Sequence, residues 1–199
     1  VYIATDDRHI YNTCRQFGAK CIMTSDSCLT GTDRVAEAAG ELPGDAFLNV
    51  QGDEPLFNPD DITRMIEASS KAPDCVLNGY TDITASNDYF SASIPKLTMR
   101  QDGRLLYMSR SPIPGNKVQA FRYGYRQICA YVFPRQSLIE YAQHGKKTPM
   151  EQEEDIEILR FLELGRDVRM VKLSERSLAV DCPEDVDRAD NAARMLGLT

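Results

Sequence analysis

Short apolar runs alternate with longer amphipathic stretches through the first third of the chain, and that rhythm sets the expected fold. Val1 to Ala4 is apolar and leads through Thr5, Asp6 and Asp7 into a helix-like stretch that reaches Phe17, where Gly18 breaks it. Cys21 to Met23 is the next apolar run. A helix follows from Thr32 to Glu41, and Ala46 to Val50 reads as a buried strand ending at Gln51 and Gly52. Asn58 is placed to cap a further helix, with Pro59 at its first position and Asp60 and Asp61 where the helix dipole favours carboxylates. Strands and helices in this alternation predict an α/β, Rossmann-like fold with a mostly parallel sheet covered on both faces.

The middle of the chain changes character. Ile94 to Met99, a turn at Asp102 and Gly103, and Arg104 to Ser109 read as a hairpin, an inserted lobe rather than another crossover. Tyr125 to Phe133 is a strand, Pro134 to His144 a helix, and Met150 to Leu164 a single longer helix closed by Gly165. Val168 to Leu173 and Leu178 to Val180 read as strands before a last helix from Pro183 to Leu196. With no repeat and no low-complexity linker, one domain spanning residues 1–199 is expected.

A formal net charge of -7 argues against nucleic acid or an anionic membrane as a partner, although a bound cation or a few basic residues can still reverse the sign inside a cleft. No run approaches the roughly 20 apolar residues that cross a bilayer, and no secretory signal opens the chain, so a cytoplasmic protein is expected. The six cysteines contain no C-x-x-C pair and are expected to be free, mostly buried thiols.

In open α/β sheets ligands sit at the carboxyl ends of strands, so polar residues that directly follow an apolar run are the candidates. Three junctions qualify: Thr24-Ser25, Gln51-Gly52-Asp53-Glu54-Pro55, and Asp181 after Val180. Each alone could be a helix cap or a turn. Together, Asp53 and Asp181 could hold one Mg²⁺ between them, with water and phosphate oxygens completing its shell. Such an ion would neutralise nucleotide phosphates and orient a sugar hydroxyl for in-line attack, which needs no nucleophilic Ser or Cys.

The strings Ile22-Met23-Thr24-Ser25, Thr30-Gly31-Thr32-Asp33-Arg34-Val35-Ala36-Glu37 and Asn49-Val50-Gln51-Gly52-Asp53-Glu54-Pro55 closely resemble the 3-deoxy-manno-octulosonate cytidylyltransferases, the CMP-KDO synthetases. The resemblance continues through Tyr107-Met108-Ser109-Arg110 with Ile113-Pro114, through Tyr131, through Glu151-Gln152 and Glu154, and through Val180-Asp181-Cys182-Pro183-Glu184-Asp185. It implies transfer of CMP from CTP to an acidic keto-sugar, with Asp53 and Asp181 as catalytic and metal ligands. It further implies Ser25, Gly31, Arg34 and Gln51 around cytidine, and Tyr131, Glu151, Gln152 and Gln127 around the sugar. A homodimer formed through the hairpin region is also implied.

The chain departs from the family pattern in three places. No phosphate-cradling loop rich in Arg, Ser, Gly and Lys follows the first strand, and Val1 opens directly in an apolar run. An upstream strand-loop-helix unit of roughly fifty residues is therefore expected to be missing, leaving the piece inactive alone. Cys28-Leu29-Thr30 stands where His and Ser commonly precede the Gly-Thr, and Arg126-Gln127-Ile128-Cys129 where a His-Ile-Gly segment is common. Both lie near the presumed sugar, which favours a variant of KDO such as an amino-substituted one. The competing readings are a cytidylyltransferase for a nine-carbon sialic-type acid, which the Gln-Gly-Asp-Glu-Pro wording disfavours, and a non-catalytic nucleotide-binding module. Lys96 and Arg110 are more simply read as solvated strand residues than as ligands.

Overall fold

The computed structural model describes residues 1–175, 178–180 and 183–198, the side chain of Glu184 excepted. In chain order the elements are β1 (Tyr2–Thr5), α1 (Arg8–Gln16), β2 (Lys20–Met23), α2 (Gly31–Glu41), β3 (Ala46–Val50) and α3 (Pro59–Lys71). There follow β4 (Val76–Asp82), α4 (Ser86–Phe90), β5 (Lys96–Met99), β6 (Leu105–Ser109) and β7 (Tyr125–Pro134). The chain continues with α5 (Arg135–His144), α6 (Pro149–Glu154), α7 (Ile158–Glu163), β8 (Val168–Lys172) and α8 (Pro183–Met195). The class is α/β, as the alternation predicts. The chain divides into two compact units, Val1–Phe47 with Phe133–Arg166 and Leu48–Val132 with Asp167–Thr199.

In the first unit β1 and β2 pair in parallel, Tyr2 opposite Lys20. Asp7 caps α1 by accepting the Ile10 N–H at 2.8 Å, and Gly18 at φ 78° turns the chain toward β2. Inside this unit Arg160 is fully buried. Its Nε and Nη2 donate to the two oxygens of Glu151 at 2.6 and 2.7 Å, and Nη1 and Nη2 reach Asp33 at 3.0 and 3.3 Å. The guanidinium lies 3.7 Å from the centroid of the Tyr141 ring. Burial alone would lower the Arg160 pKa, but the hydrogen bonds it donates to Glu151 and Asp33 hold it above the ordinary arginine value.

The stretch Met150 to Leu164 is not one helix. It splits into α6 and α7 at Asp155, whose backbone is left-handed at φ 49° and whose carboxylate pairs with Lys147 at 2.6 Å. Thr148 and Glu151 form a capping box that starts α6, so Glu151 serves the helix end and Arg160 at once. Gly165 closes α7 at φ 77°, as expected.

In the second unit the sheet order is β6-β5-β7-β4-β8, with β3 pairing β7 off that path. β4 pairs β8 in parallel and β7 in antiparallel, while β5 pairs both β6 and β7 in antiparallel. The predicted hairpin is present and extends this sheet, turning at Gly103 with φ 83°. Met65, Leu77, Ile128, Ala130, Val132 and Leu173 form its buried core, with Leu48, Val50 and Phe57 packed against them.

β4 is absent from the reading of the apolar pattern. Its interior holds Asn78, Gly79 and Thr81, yet Asn78 and Thr81 are fully buried, so polarity hid a central strand. Leu178 to Val180 forms no strand among the described residues, and its contribution is one bond, from the Val180 N–H to the Asp53 carbonyl at 2.8 Å. Lys96 is fully buried, not solvated, and its ammonium donates to the carbonyls of Ser91, Ile94 and Arg110.

Replacing Arg160 by Met should therefore destabilise the protein by about 3–5 kcal/mol, because it leaves the Glu151 carboxylate buried without its cation. Urea unfolding at neutral pH measures this, and a loss under about 1 kcal/mol would show that the carboxylates are not held charged in the core.

Candidate functional site

β2 ends at Met23, and the polar residues after it are gathered by α2. Arg34 Nη1 donates to Thr24 Oγ1 at 2.5 Å and to the Ser25 carbonyl at 3.5 Å, and Nη2 pairs with Asp6 at 3.1 Å. Ser25 and Arg34, predicted together, are thus brought together, with Thr24, a strand-end candidate given no role of its own, and Asp6, which the motifs do not include. Thr24 was within the motif, but nothing in its residue type distinguished it from a strand-end cap.

Ser25 also donates its N–H to Glu37 Oε1 at 2.8 Å, and the second Glu37 oxygen accepts from the Cys28 thiol at 3.3 Å. Burial chiefly, and then the hydrogen bond to Glu37, push the Cys28 thiol up to about 11. The five described cysteines, Cys14, Cys21, Cys28, Cys75 and Cys129, are free but half-buried, less enclosed than their count as small hydrophobes implied.

Gly31 opens α2, and its N–H together with that of Thr32 donates to the Glu157 carboxylate at 3.2 and 2.8 Å. The positive end of α2 is therefore taken up by a side chain of the protein itself. Glu151, as described above, is committed to Arg160, and its Oε1 also accepts from Tyr141 at 3.1 Å. Gln152 is exposed and its N–H continues α6 back to the Thr148 carbonyl at 2.8 Å.

The second unit positions the loop after β3. One step along β4, from Asn78 opposite Tyr131 to Gly79 opposite Ile128, passes Cys129 and Ala130, so β7 bulges there. The bulge holds the loop: Gln51 donates its N–H to the Cys129 carbonyl at 3.0 Å, and Glu54 Oε1 accepts the Cys129 N–H at 3.3 Å. Gly79 lies opposite this bulge, where a Cβ would meet Leu173 Cδ1 and force that side chain to shift. Asp53 lies between these anchors, and its carbonyl accepts from Val180, the residue before Asp181. Asp181 itself lies outside the described residues.

Gln127 and Tyr131 are likewise brought together at the bulge, with Gln127 Nε2 donating to Tyr131 Oη at 3.3 Å and to Asn78 Oδ1 at 2.9 Å. Asn78 is a site neighbour that pattern reading could not supply, because its strand was not recognised. Two adjacent residues between apolar Val76-Leu77 and Tyr80 that are poor strand formers, Asn78-Gly79, were the available signal for a bulge.

The profile of the cytidylyltransferase family matches residues 1–170. A 3-deoxy-manno-octulosonate cytidylyltransferase of Protochlamydia amoebophila is 36% identical over 196 residues, covering 94% of this chain and 75% of that protein. One from Trichlorobacter lovleyi is 38% identical over 199 residues, covering 94% and 79%. A solved CMP:2-keto-3-deoxy-manno-octonic acid synthetase in complex with CTP superposes with a TM-score of 0.88 at 28% identity, covering all of this chain and 81% of that one.

Because its thiol is held protonated, Cys28 should react with iodoacetamide at pH 8 several-fold more slowly than an unperturbed thiol, and Glu37→Gln should speed it. Peptide-resolved alkylation rates read this directly, and a Cys28 rate that Glu37→Gln leaves unchanged would break the assignment.

Proposed function

The chain belongs to the cytidylyltransferase family, in the group of the 3-deoxy-manno-octulosonate enzymes, and from that premise we propose that it transfers CMP from CTP to KDO or a close variant. The observation that carries the reading is the anchoring of the Gln51 to Glu54 loop on the same β7 bulge that bears Gln127 and Tyr131. One irregularity in one strand thereby joins the candidate nucleotide loop to candidate sugar ligands.

In the reaction a sugar hydroxyl oxygen bonds to the α-phosphorus of CTP, the bond from that phosphorus to the β-phosphate oxygen breaks, the hydroxyl proton is released, and pyrophosphate leaves. Arg34 and Gln51 supply donors and an acceptor suited to the O2, N3 and N4 edge of cytosine, with Thr24 and Ser25 holding the guanidinium in place. Gln127, Tyr131 and Gln152 are the sugar ligands of this reading. Gly31 and Glu151 hold α2 and α6 in shape, since their polar groups are engaged by Glu157 and Arg160.

Asp53 and Asp181 are the residues that would hold Mg²⁺, a hard cation that takes carboxylate oxygens and keeps several waters. The fit is supported by the Val180 N–H on the Asp53 carbonyl, which carries the chain past Asp53 immediately before Asp181. When bound, the ion would neutralise charge on the phosphates.

No helix among the described residues is long and apolar enough to cross a membrane, and the reading places the reaction in the cytoplasm, with CTP. It also includes a homodimer formed through the hairpin. Support comes from β6, which ends the sheet order and leaves Leu106 57% exposed.

Pyrophosphate release with CTP, magnesium and KDO tests the activity, and sialic acid in its place tests the sugar class. Asp53→Asn should lower turnover by about a hundredfold or more with the fold intact by circular dichroism. Gln51→Ala should erode the preference for CTP over UTP in kcat/KM, and an unchanged ratio would place base reading elsewhere.

A further inference from the structure

The amide of Gln127 has its orientation imposed on it. Asn78 Nδ2 donates to the carbonyls of Ile128 and Ala130, each at 3.0 Å, which uses both of its hydrogens and turns Oδ1 toward Gln127. Those two acceptors are main-chain oxygens of the bulge, so the Asn78 amide cannot be reversed without setting oxygen against oxygen. Gln127 Nε2 then gives its two hydrogens to Asn78 Oδ1 and Tyr131 Oη. What the side chain has left is a carbonyl oxygen.

Among the described residues that oxygen, Gln127 Oε1, accepts no hydrogen bond, and it is not one of the polar atoms sealed from solvent. Gln127 as a whole is only 9% exposed. A nearly buried amide, fixed at its nitrogen and open at its oxygen, is built to meet a donor.

Resting on the transferase reading, we propose that Gln127 Oε1 is a specificity contact for the sugar acid, that it selects a hydroxyl or an ammonium, and that Asn78 is the positioning residue that aims it. A group with lone pairs only, such as an ether oxygen, meets Oε1 with no proton between them and is rejected. An ammonium meets it with a charge-assisted bond, so an amino-substituted ulosonic acid is accepted at least as well as the hydroxyl parent. Asn78 acts through Gln127 and touches no substrate, and its effect is confined to discrimination at one sugar position.

The experiment measures kcat and KM for pyrophosphate release, at saturating CTP and magnesium, with KDO, with its deoxy and O-methyl derivatives at each hydroxyl in turn, and with the amino-substituted acid. The enzymes are wild type, Gln127→Met, which leaves the bulge carbonyls to Asn78, and Asn78→Ala. In the wild type one derivatised position should lose about ten- to a hundredfold in kcat/KM, and Gln127→Met should abolish that difference while the KM for CTP holds. Asn78→Ala should flatten discrimination at the same position. A variant that loses activity equally on every sugar, with a lowered melting temperature, would reduce the network to a structural role and overturn the proposal. So would an unchanged pattern across the panel. Release with no ulosonic acid at all would overturn the transferase reading as well.

Discussion

The bulge in β7 is the constraint on which the rest of the second unit depends. Displacing Cys129 and Ala130 from the β4 ladder frees main-chain groups that a buried strand must satisfy. Both groups of Cys129 and the Ala130 carbonyl are answered by residues that matter elsewhere. The Cys129 carbonyl takes the Gln51 N–H, the Cys129 N–H goes to Glu54, and the carbonyls of Ile128 and Ala130 take the Asn78 amide. The loop that carries Asp53 is therefore held by the same irregularity that sets Gln127 and Tyr131 on the strand. Without the bulge Asn78 would be a buried polar side chain facing a complete ladder, at a cost of about 1–3 kcal/mol.

Local signals made most of the fold legible. Asn58 followed by Pro59, Asp60 and Asp61 starts a helix in the sequence and in the structure, because caps and dipoles act within one turn. Gly18, Gly103 and Gly165 end their elements with positive φ for the same reason. What pattern could not reach depends on distant partners. β4 hides because Asn78 finds its acceptors some fifty residues along the chain, on β7. The break at Asp155 hides because the sequence reads as acidic and helical, while the tertiary pairing of Glu151 with Arg160 and of Asp155 with Lys147 sets where the turn falls.

The candidate site divides along the same line. Ser25, Arg34, Gln51 and Asp53 sit in motifs whose wording is local, and they were named from it. Thr24, Glu37 and Glu54 lie in the same motifs and Asn78 does not, but all four do their work by holding those residues, a role that residue type and spacing do not announce. Glu151 shows the converse. Its place in a motif suggested a ligand, and in the structure its carboxylate is 1% exposed and accepts hydrogen bonds from Arg160, Tyr141 and Thr148.

The two buried polar networks differ in a way that separates structure from function. Arg160 has five N–H donors, and all find acceptors, two on Glu151, two on Asp33 and one on the Tyr141 carbonyl. That network is closed, and a closed network in a low-dielectric interior contributes rigidity and a unique packing without offering anything to a ligand. The chain of amides from the bulge through Asn78 to Gln127 is satisfied at every hydrogen but ends on an oxygen that still touches solvent. An acceptor exposed at the end of an otherwise immobile chain loses little entropy when a donor arrives, because its rotamer is already set. Under the proposed role of Gln127, the difference between a core and a reader is one atom, Gln127 Oε1.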